Sequence, residues 1–140
     1  MPARQAQAVW EGTLQEGRGQ MHLFGKDHNY SFSSRFEDGE GTNPEELIAA
    51  AHAGCYSMAL SGRLTREGFP PVRVQTQAKV HLNKKETGFA IDRIDLEAAA
   101  EVPNITEEKF QEIAKAAKET CPVSVALGAV EITLYARLVS

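Results

Sequence analysis

No apolar run in this chain approaches the ~18 residues that a membrane-spanning helix needs, which argues against a helical membrane protein. No cluster of Lys and Arg is present and the net charge is −4, so general nucleic-acid binding is not expected either. The first residues, Met1-Pro2-Ala3-Arg4-Gln5, lack the apolar core of a signal peptide, and the expected compartment is the cytoplasm. No repeat, linker or low-complexity stretch interrupts the 140 residues. That length suits a single domain, 1–140, with its own core and something to gain from oligomerisation. Cysteine is scarce: there are two, Cys55 and Cys121. In a reducing compartment a permanent disulfide is not expected, and paired cysteines are more often catalytic or redox-active.

What is present is patterned. A hydrophobic fraction of 42% and a charged fraction of 24% suit an ordinary globular protein. Early on, Ala6, Ala8 and Trp10, then Met21 and Leu23, then Tyr30 and Phe32 alternate with polar residues between glycines, which predicts short strands. A strong helix start follows. Thr42 or Asn43 can cap, Pro44 suits the first helical position, and Glu45 and Glu46 suit the positive dipole end; Thr42 to Glu45 also has capping-box spacing. The helix should run to about Arg66, ended by Gly68 and Pro70-Pro71. Its small-residue middle, Ala49 to Gly54, predicts close approach by other backbone.

Val72 to Leu82 alternates cleanly and predicts a half-buried strand. A turn at Gly88 leads to a second strand, roughly Phe89 to Val102, with a bulge expected between Ile91 and Ile94, where the alternation slips. An amphipathic helix over Thr106 to Lys118 buries Phe110, Ile113 and Ala117. Pro122 opens a short helix ending near Gly128, and Val130 to Leu138 is a last strand. The fold class is α+β, with antiparallel sheets packed on a long central helix.

Two thiols far apart in sequence, each placed by local signals, suggest a pair that meets in the fold and supports reversible oxidation. Cys55 stands eleven positions after Pro44, too deep in its helix for the dipole to help. If reactive, it needs a cation to lower its pKa, and Arg18 and Arg35 are the candidates. Cys121-Pro122 places the second sulfur at a helix N-terminus, where backbone N–H groups favour a thiolate, a setting suited to a leaving or resolving sulfur. His52, three residues before Cys55, lies on nearly the same helix face and allows a Cys-His dyad or half of a metal site, although packing alone would also explain it. Glu45 and Glu46 are accounted for by the helix dipole, and His22, His28 and His81 read as isolated surface.

Taken together, Phe32-Ser33-Ser34-Arg35-Phe36-Glu37, then Gly41-Thr42-Asn43-Pro44-Glu45-Glu46-Leu47-Ile48-Ala49-Ala50-Ala51-His52-Ala53-Gly54-Cys55, and later Thr120-Cys121-Pro122-Val123-Ser124 resemble the OsmC/Ohr family of hydroperoxide reductases. The likeness runs from Trp10-Glu11-Gly12 to the last strand. Arg35-Phe36-Glu37 and His52 look like the OsmC branch rather than the organic hydroperoxide resistance (Ohr) branch. The resemblance implies a thiol peroxidase in which Cys55 is the peroxidatic thiolate and Cys121 resolves its sulfenic acid as a Cys55–Cys121 disulfide. It further implies that Arg35, held by Glu45, stabilises the thiolate. In the Ohr branch the arginine comes from an earlier loop, here the region of Arg18. An intertwined homodimer is implied, with an organic hydroperoxide as substrate and a lipoylated protein or small dithiol as reductant; no cofactor and no metal are implied. Glu45 and Cys55, ten positions apart on one helix, lie ~15 Å apart, so Arg35 and Glu45 are expected to serve the Cys55 of a partner subunit. Leu47, Ile48, Met58 and Phe36 are candidates to line the substrate pocket.

Three rivals remain open: a Cys55-His52 hydrolase or transferase, a non-catalytic dimeric domain binding small ligands, and a zinc site from Cys55, Cys121 and His52.

Overall fold

The structure, a computed structural model, describes residues 1–139, which fall into two compact units divided after Leu47. The first is a three-stranded antiparallel sheet, β1 (Gln7–Glu11), β2 (Arg18–Leu23) and β3 (Lys26–Tyr30), followed by a short helix, α1 (Phe32–Phe36). Gly19 sits at the middle of this sheet, paired with Trp10 on one side and Tyr30 on the other. Those two rings close over it at 5.3 Å between centroids. A Cβ at position 19 would lie 2.5 Å from Trp10 and 2.6 Å from Tyr30, so only glycine admits the aromatic pair.

The alternation through Tyr30 and Phe32 predicted strand where α1 forms. Ser31 is the reason: its hydroxyl accepts the Ser34 N–H, while the Ser34 hydroxyl accepts the Ser31 N–H, a complete capping box. Local side-chain hydrogen bonds here outcompete the extended pairing that the pattern suggests.

α2 (Pro44–Arg66) begins in the first unit and continues into the second. Its cap is Asn43, whose Oδ1 accepts the Glu46 N–H at 2.8 Å, one residue later than the Thr42–Glu45 spacing had suggested. Thr42 is otherwise engaged, its N–H bonded to the Asn29 carbonyl and its own carbonyl accepting the Ser34 hydroxyl. The helix ends as expected. Gly68 has φ +90°, its N–H bonds the Thr65 carbonyl and the Phe69 N–H bonds that of Leu64, which is a Schellman motif.

In the second unit, β4 (Arg73–Lys85) and β5 (Gly88–Glu101) form the long hairpin. The bulge lies where the alternation slipped: His81 pairs with Arg93 and Leu82 with Ile91, leaving Asp92 as the extra residue. α3 (Glu107–Thr120), capped by the Thr106 hydroxyl, and α4 (Pro122–Ala126) carry the chain back to β6 (Glu131–Leu138). β6 joins β5 in parallel, so this sheet is mixed rather than purely antiparallel. The helical crossover between β5 and β6 supplies the length that a parallel return requires. Tyr56, Leu60 and Leu64 from α2, Ile94, Leu96, Ala98 and Ala100 from β5, and Phe110, Ile113, Ala114 and Ala117 from α3 make the core, with Cys121 inside it.

The fold class is α+β. Two features of the core bear on assembly. Among the described residues, every fully buried hydrophobic side chain comes from the second unit, and the first contributes none. The small-residue stretch of α2 is also open: Ala50, Ala51 and Gly54 are exposed, and nothing lies within 4 Å of a Cβ built on Gly54. The expected backbone approach at that point is therefore absent among the described residues.

Candidate functional site

Two pairs of the expected site residues form, one in each unit. In the first, the Ser31–Ser34 box builds α1, and Asn43 ties α1 to the head of α2 by donating from Nδ2 to the Ser34 carbonyl at 3.2 Å. These contacts set Arg35, near the end of α1, against Glu45 in the first turn of α2. The guanidinium donates twice, Nε to Oε1 and Nη2 to Oε2, each at 3.1 Å. This bidentate geometry fixes the plane of the guanidinium as well as its position. Glu45 is 9% exposed, so its charge is compensated where it sits.

Arg35 also lies over the Phe36 ring at 5.3 Å and borders a recess of about 330 Å³ shared with Trp10, Leu14, Tyr30, Phe32 and Phe36. Of the expected pocket residues, Phe36 lines this recess, while Met58 is 79% exposed. Arg18 is held loosely by comparison: its side chain is 86% exposed, with Glu11 at 4.0 Å.

In the second unit, Cys55 projects from α2 and Cys121 from the junction of α3 and α4, and the two Sγ atoms lie 3.0 Å apart, within hydrogen-bond reach. Both are free thiols, Cys121 fully buried and Cys55 partly exposed. A disulfide needs the sulfurs at about 2.05 Å, so oxidation requires a local approach of roughly 1 Å rather than refolding. Cys121 is held on both sides. Its N–H closes α3 on the Ala117 carbonyl, and its carbonyl accepts the Val125 N–H to open α4. Pro122 then fixes the first position of α4.

The two thiols divide a single environment unequally. Burial, the largest influence, pushes the Cys55 thiol up; the hydrogen bond with Cys121 adds to that, and the Val123 N–H opposes it. Burial also acts to raise Cys121, but the Cys55 thiol, the Ser124 N–H and hydroxyl and the Val123 N–H outweigh it, and its pKa falls below the ordinary value. Within one chain Cys121 is therefore the thiol that ionises first. An attacking Cys55 needs a cation that this set of neighbours does not supply.

His52 does not form a dyad with Cys55. It is fully buried, and its Nε2 lies 2.7 Å from the Ser124 Oγ, so a Cys-His hydrolase loses its base. Burial lowers the imidazole pKa and keeps the ring neutral. Sequence reasoning gave Ser124 no role, although its place three residues after Cys121, in the N-cap to N3 relation of α4, was a signal that could have found it. Nor are two of the other histidines isolated: His22 pairs with Asp27 at 2.7 Å and His81 with Asp95 at 2.7 Å. No group of three or more His, Cys, Asp or Glu side chains able to hold a metal occurs among the described residues.

Residues 37–135 match the model of the OsmC-like protein family. The chain is 46% identical to peroxiredoxin OsmC of Escherichia coli strain K12 over 140 residues, covering 98% of this chain and 97% of that protein. The chain belongs to the OsmC/Ohr family.

The other branch of the family is more distant. The organic hydroperoxide resistance protein OhrB of Bacillus subtilis is 33% identical over 105 residues, 73% of this chain and 74% of OhrB. The crystal structure of OhrB superposes with a TM-score of 0.69 at 26% identity, covering 95% of this chain and 98% of OhrB. An OsmC-like protein from Mycoplasma pneumoniae shares the fold at a TM-score of 0.76 and 15% identity, covering 99% of each chain. No helix among the described residues of this OsmC-like chain is long and apolar enough to cross a membrane.

Proposed function

We propose that this chain is a cytoplasmic thiol peroxidase that reduces organic hydroperoxides, and hydrogen peroxide less well, through Cys55 and Cys121. The observation that carries the reading is the meeting of two free thiols, 66 positions apart, at 3.0 Å. Relatives named for peroxiredoxin activity and for organic hydroperoxide resistance support the substrate class.

In the first step the Cys55 thiolate attacks the terminal oxygen of the hydroperoxide. The O–O bond breaks, the alkoxide leaves and takes a proton to become the alcohol, and Cys55 is left as a sulfenic acid. Cys121 then attacks the Cys55 sulfur, forming the disulfide and releasing water. A dithiol, lipoylated protein or small molecule rather than thioredoxin, returns two electrons; the family resemblance supports that choice.

The cation that Cys55 lacks is Arg35 of the partner subunit, oriented by Glu45. The bidentate pair and the largely apolar recess beside it favour Arg35 over the exposed Arg18. They also suit a peroxide carrying an apolar group, because the guanidinium can neutralise charge developing on the oxygens while the recess accepts the substituent. Two observations support the homodimer: a first unit with no fully buried hydrophobic side chain, and an uncovered face of α2 formed by Ala50, Ala51, Gly54 and Met58. Residues 1–140 are read as one domain completed by its partner.

The test is a thiol count and intact mass on fully reduced protein before and after one equivalent of cumene hydroperoxide. Loss of two thiols per chain, a mass lower by two hydrogens and release of the alcohol are expected, whereas Cys121→Ser should stop at the sulfenic acid. Two unreacted thiols in the native chain would remove the enzyme and leave the ligand-binding reading in its place.

A further inference from the structure

His52 is expensive to keep where it is. The ring is fully buried on α2, and its Nδ1 is a buried side-chain atom with no hydrogen-bond partner. An unpaired buried polar group destabilises the fold, and a leucine of similar volume would avoid that cost. The ring does one visible thing in return: Nε2 meets the Ser124 Oγ at 2.7 Å, with Ser124 itself 6% exposed. Ser124 is at the third position of α4, facing the N-cap residue Cys121, and its hydroxyl acts on the Cys121 sulfur.

The hydroxyl has one hydrogen, and the two neighbours decide where it points. A sulfur carrying negative charge takes it as acceptor, so the Ser124 oxygen must accept from His52 Nε2–H. That assignment makes Nδ1 the bare nitrogen, in agreement with its lack of a donor. The chain of donors thus runs from His52 Nε2–H to Ser124 Oγ–H to Cys121 Sγ, in a dry interior where such bonds polarise one another. Among the described residues, the titratable groups coupled to this sulfur are Cys55 and Tyr56, both from α2. The Tyr56 hydroxyl donates to the Ala114 carbonyl at 3.0 Å, and burial followed by the charge at Cys121 pushes its own pKa up; both leave it neutral. Neither tyrosine nor imidazole brings a positive charge, so hydrogen bonding carries the effect.

We propose that His52 and Ser124 are positioning residues that hold negative charge on Cys121 and so make it the leaving sulfur when an external dithiol opens the Cys55–Cys121 disulfide. This rests on the peroxidase reading only for its place in the cycle. A thiolate of the dithiol attacks the partly exposed Cys55 sulfur, the Cys55–Cys121 bond breaks, and Cys121 departs as a thiolate into the donor chain. The second thiol of the reductant then attacks its own mixed-disulfide sulfur and releases Cys55. Two electrons pass from the dithiol, which ends as its cyclic disulfide. A disulfide opens faster when the departing thiol is the more acidic, so the relay directs attack to Cys55 and keeps the buried sulfur from being trapped.

The experiment uses disulfide made with diamide, so that no peroxide is involved. Reduction by dithiothreitol is timed in the native chain and in Ser124→Ala, His52→Leu and His52→Gln; glutamine keeps an N–H donor where leucine has none. In parallel, the Cys121 thiolate is titrated by its ultraviolet absorbance in a Cys55→Ser background. Loss of the hydroxyl or of its orienting donor should cut the thiolate fraction about tenfold, the size of one hydrogen bond to a charged group, and slow the reduction by a smaller factor, about threefold. His52→Gln should recover most of both. When glutathione replaces dithiothreitol and the reaction is quenched with acid and N-ethylmaleimide, the glutathione adduct should map to Cys55 and the maleimide to Cys121. Unchanged titration and unchanged rate in folded Ser124→Ala and His52→Leu overturn the proposal, as does a glutathione adduct on Cys121. Failure of reduced native protein to consume cumene hydroperoxide sinks the peroxidase reading instead, and the titration still decides the relay.

Discussion

At position 52 a neutral ring is required, and protonation is where its cost is felt. Burial lowers the His52 pKa in the folded chain, whereas the unfolded chain titrates at the ordinary imidazole value of about 6.5. The unfolded state therefore takes up the proton first, and unfolding free energy rises with pH across the window between the two values. The contribution is complete above about pH 6.5 and is lost as pH falls from there toward the folded pKa. Urea midpoints measured from pH 7.5 down to 5 should fall in the native chain, and the fall should be shallower in His52→Gln. An equal slope in the two proteins would mean that His52 is not the group being protonated. A separate acid limit comes from Asp95, which hydrogen bonds from Thr133 and His81, with Arg93 beside it, hold down to about 2. Its contribution is present above the usual carboxylate range and is lost as pH falls toward 2.

Among the elements, the head of α2 is the one on which the Arg35–Glu45 pair depends, and Asn43 is its fastening. Asn43→Ala removes the acceptor for the Glu46 N–H and the donor to the buried Ser34 carbonyl. Loss of a cap together with an orphaned buried carbonyl costs about 1–3 kcal/mol. We expect the melting temperature to drop by several degrees and peroxide consumption to weaken, while Thr42→Val shifts the melting temperature less. Equal shifts would return the cap to Thr42. The same stretch shows what a sequence discloses. Pro44, Glu45, Glu46, Gly68 and the proline pair marked both ends of α2 because the signals that start and stop a helix are local. The Asp92 bulge and the last strand were legible for a similar reason, since a period of two either holds or slips within a few residues. α1 was not, because two serines bonding each other's N–H groups leave no mark on a hydrophobic pattern that already read as strand. The parallel pairing of β6 was hidden too, being set by a crossover rather than by the strand's own residues. The meeting of Cys55 with Cys121 came from family likeness and from the oddity of each setting. The His52–Ser124 contact, 72 positions apart, came from neither.

For the whole molecule, the homodimer proposed above makes the source of the arginine the decisive question. A two-fold dimer presents the same patch from both copies, so Arg35 of one chain facing Cys55 of the other would occur twice. Mixing two inactive variants then restores activity. In a heterodimer of Arg35→Ala and Cys55→Ser subunits, one site has lost both groups, while the other combines the intact cysteine of the first chain with the intact arginine of the second. Random pairing makes half of the dimers heterodimers with one working site each, so an equal mixture, unfolded and refolded together, should recover about a quarter of native peroxidase activity. If Arg35 instead serves the cysteine of its own chain, every site in the mixture lacks one group and activity stays at the level of the separate variants. Light scattering on the same samples should give twice the 15.3 kDa chain mass. A dimer without recovered activity would keep the assembly and reject the shared site, and a monomer would reject both.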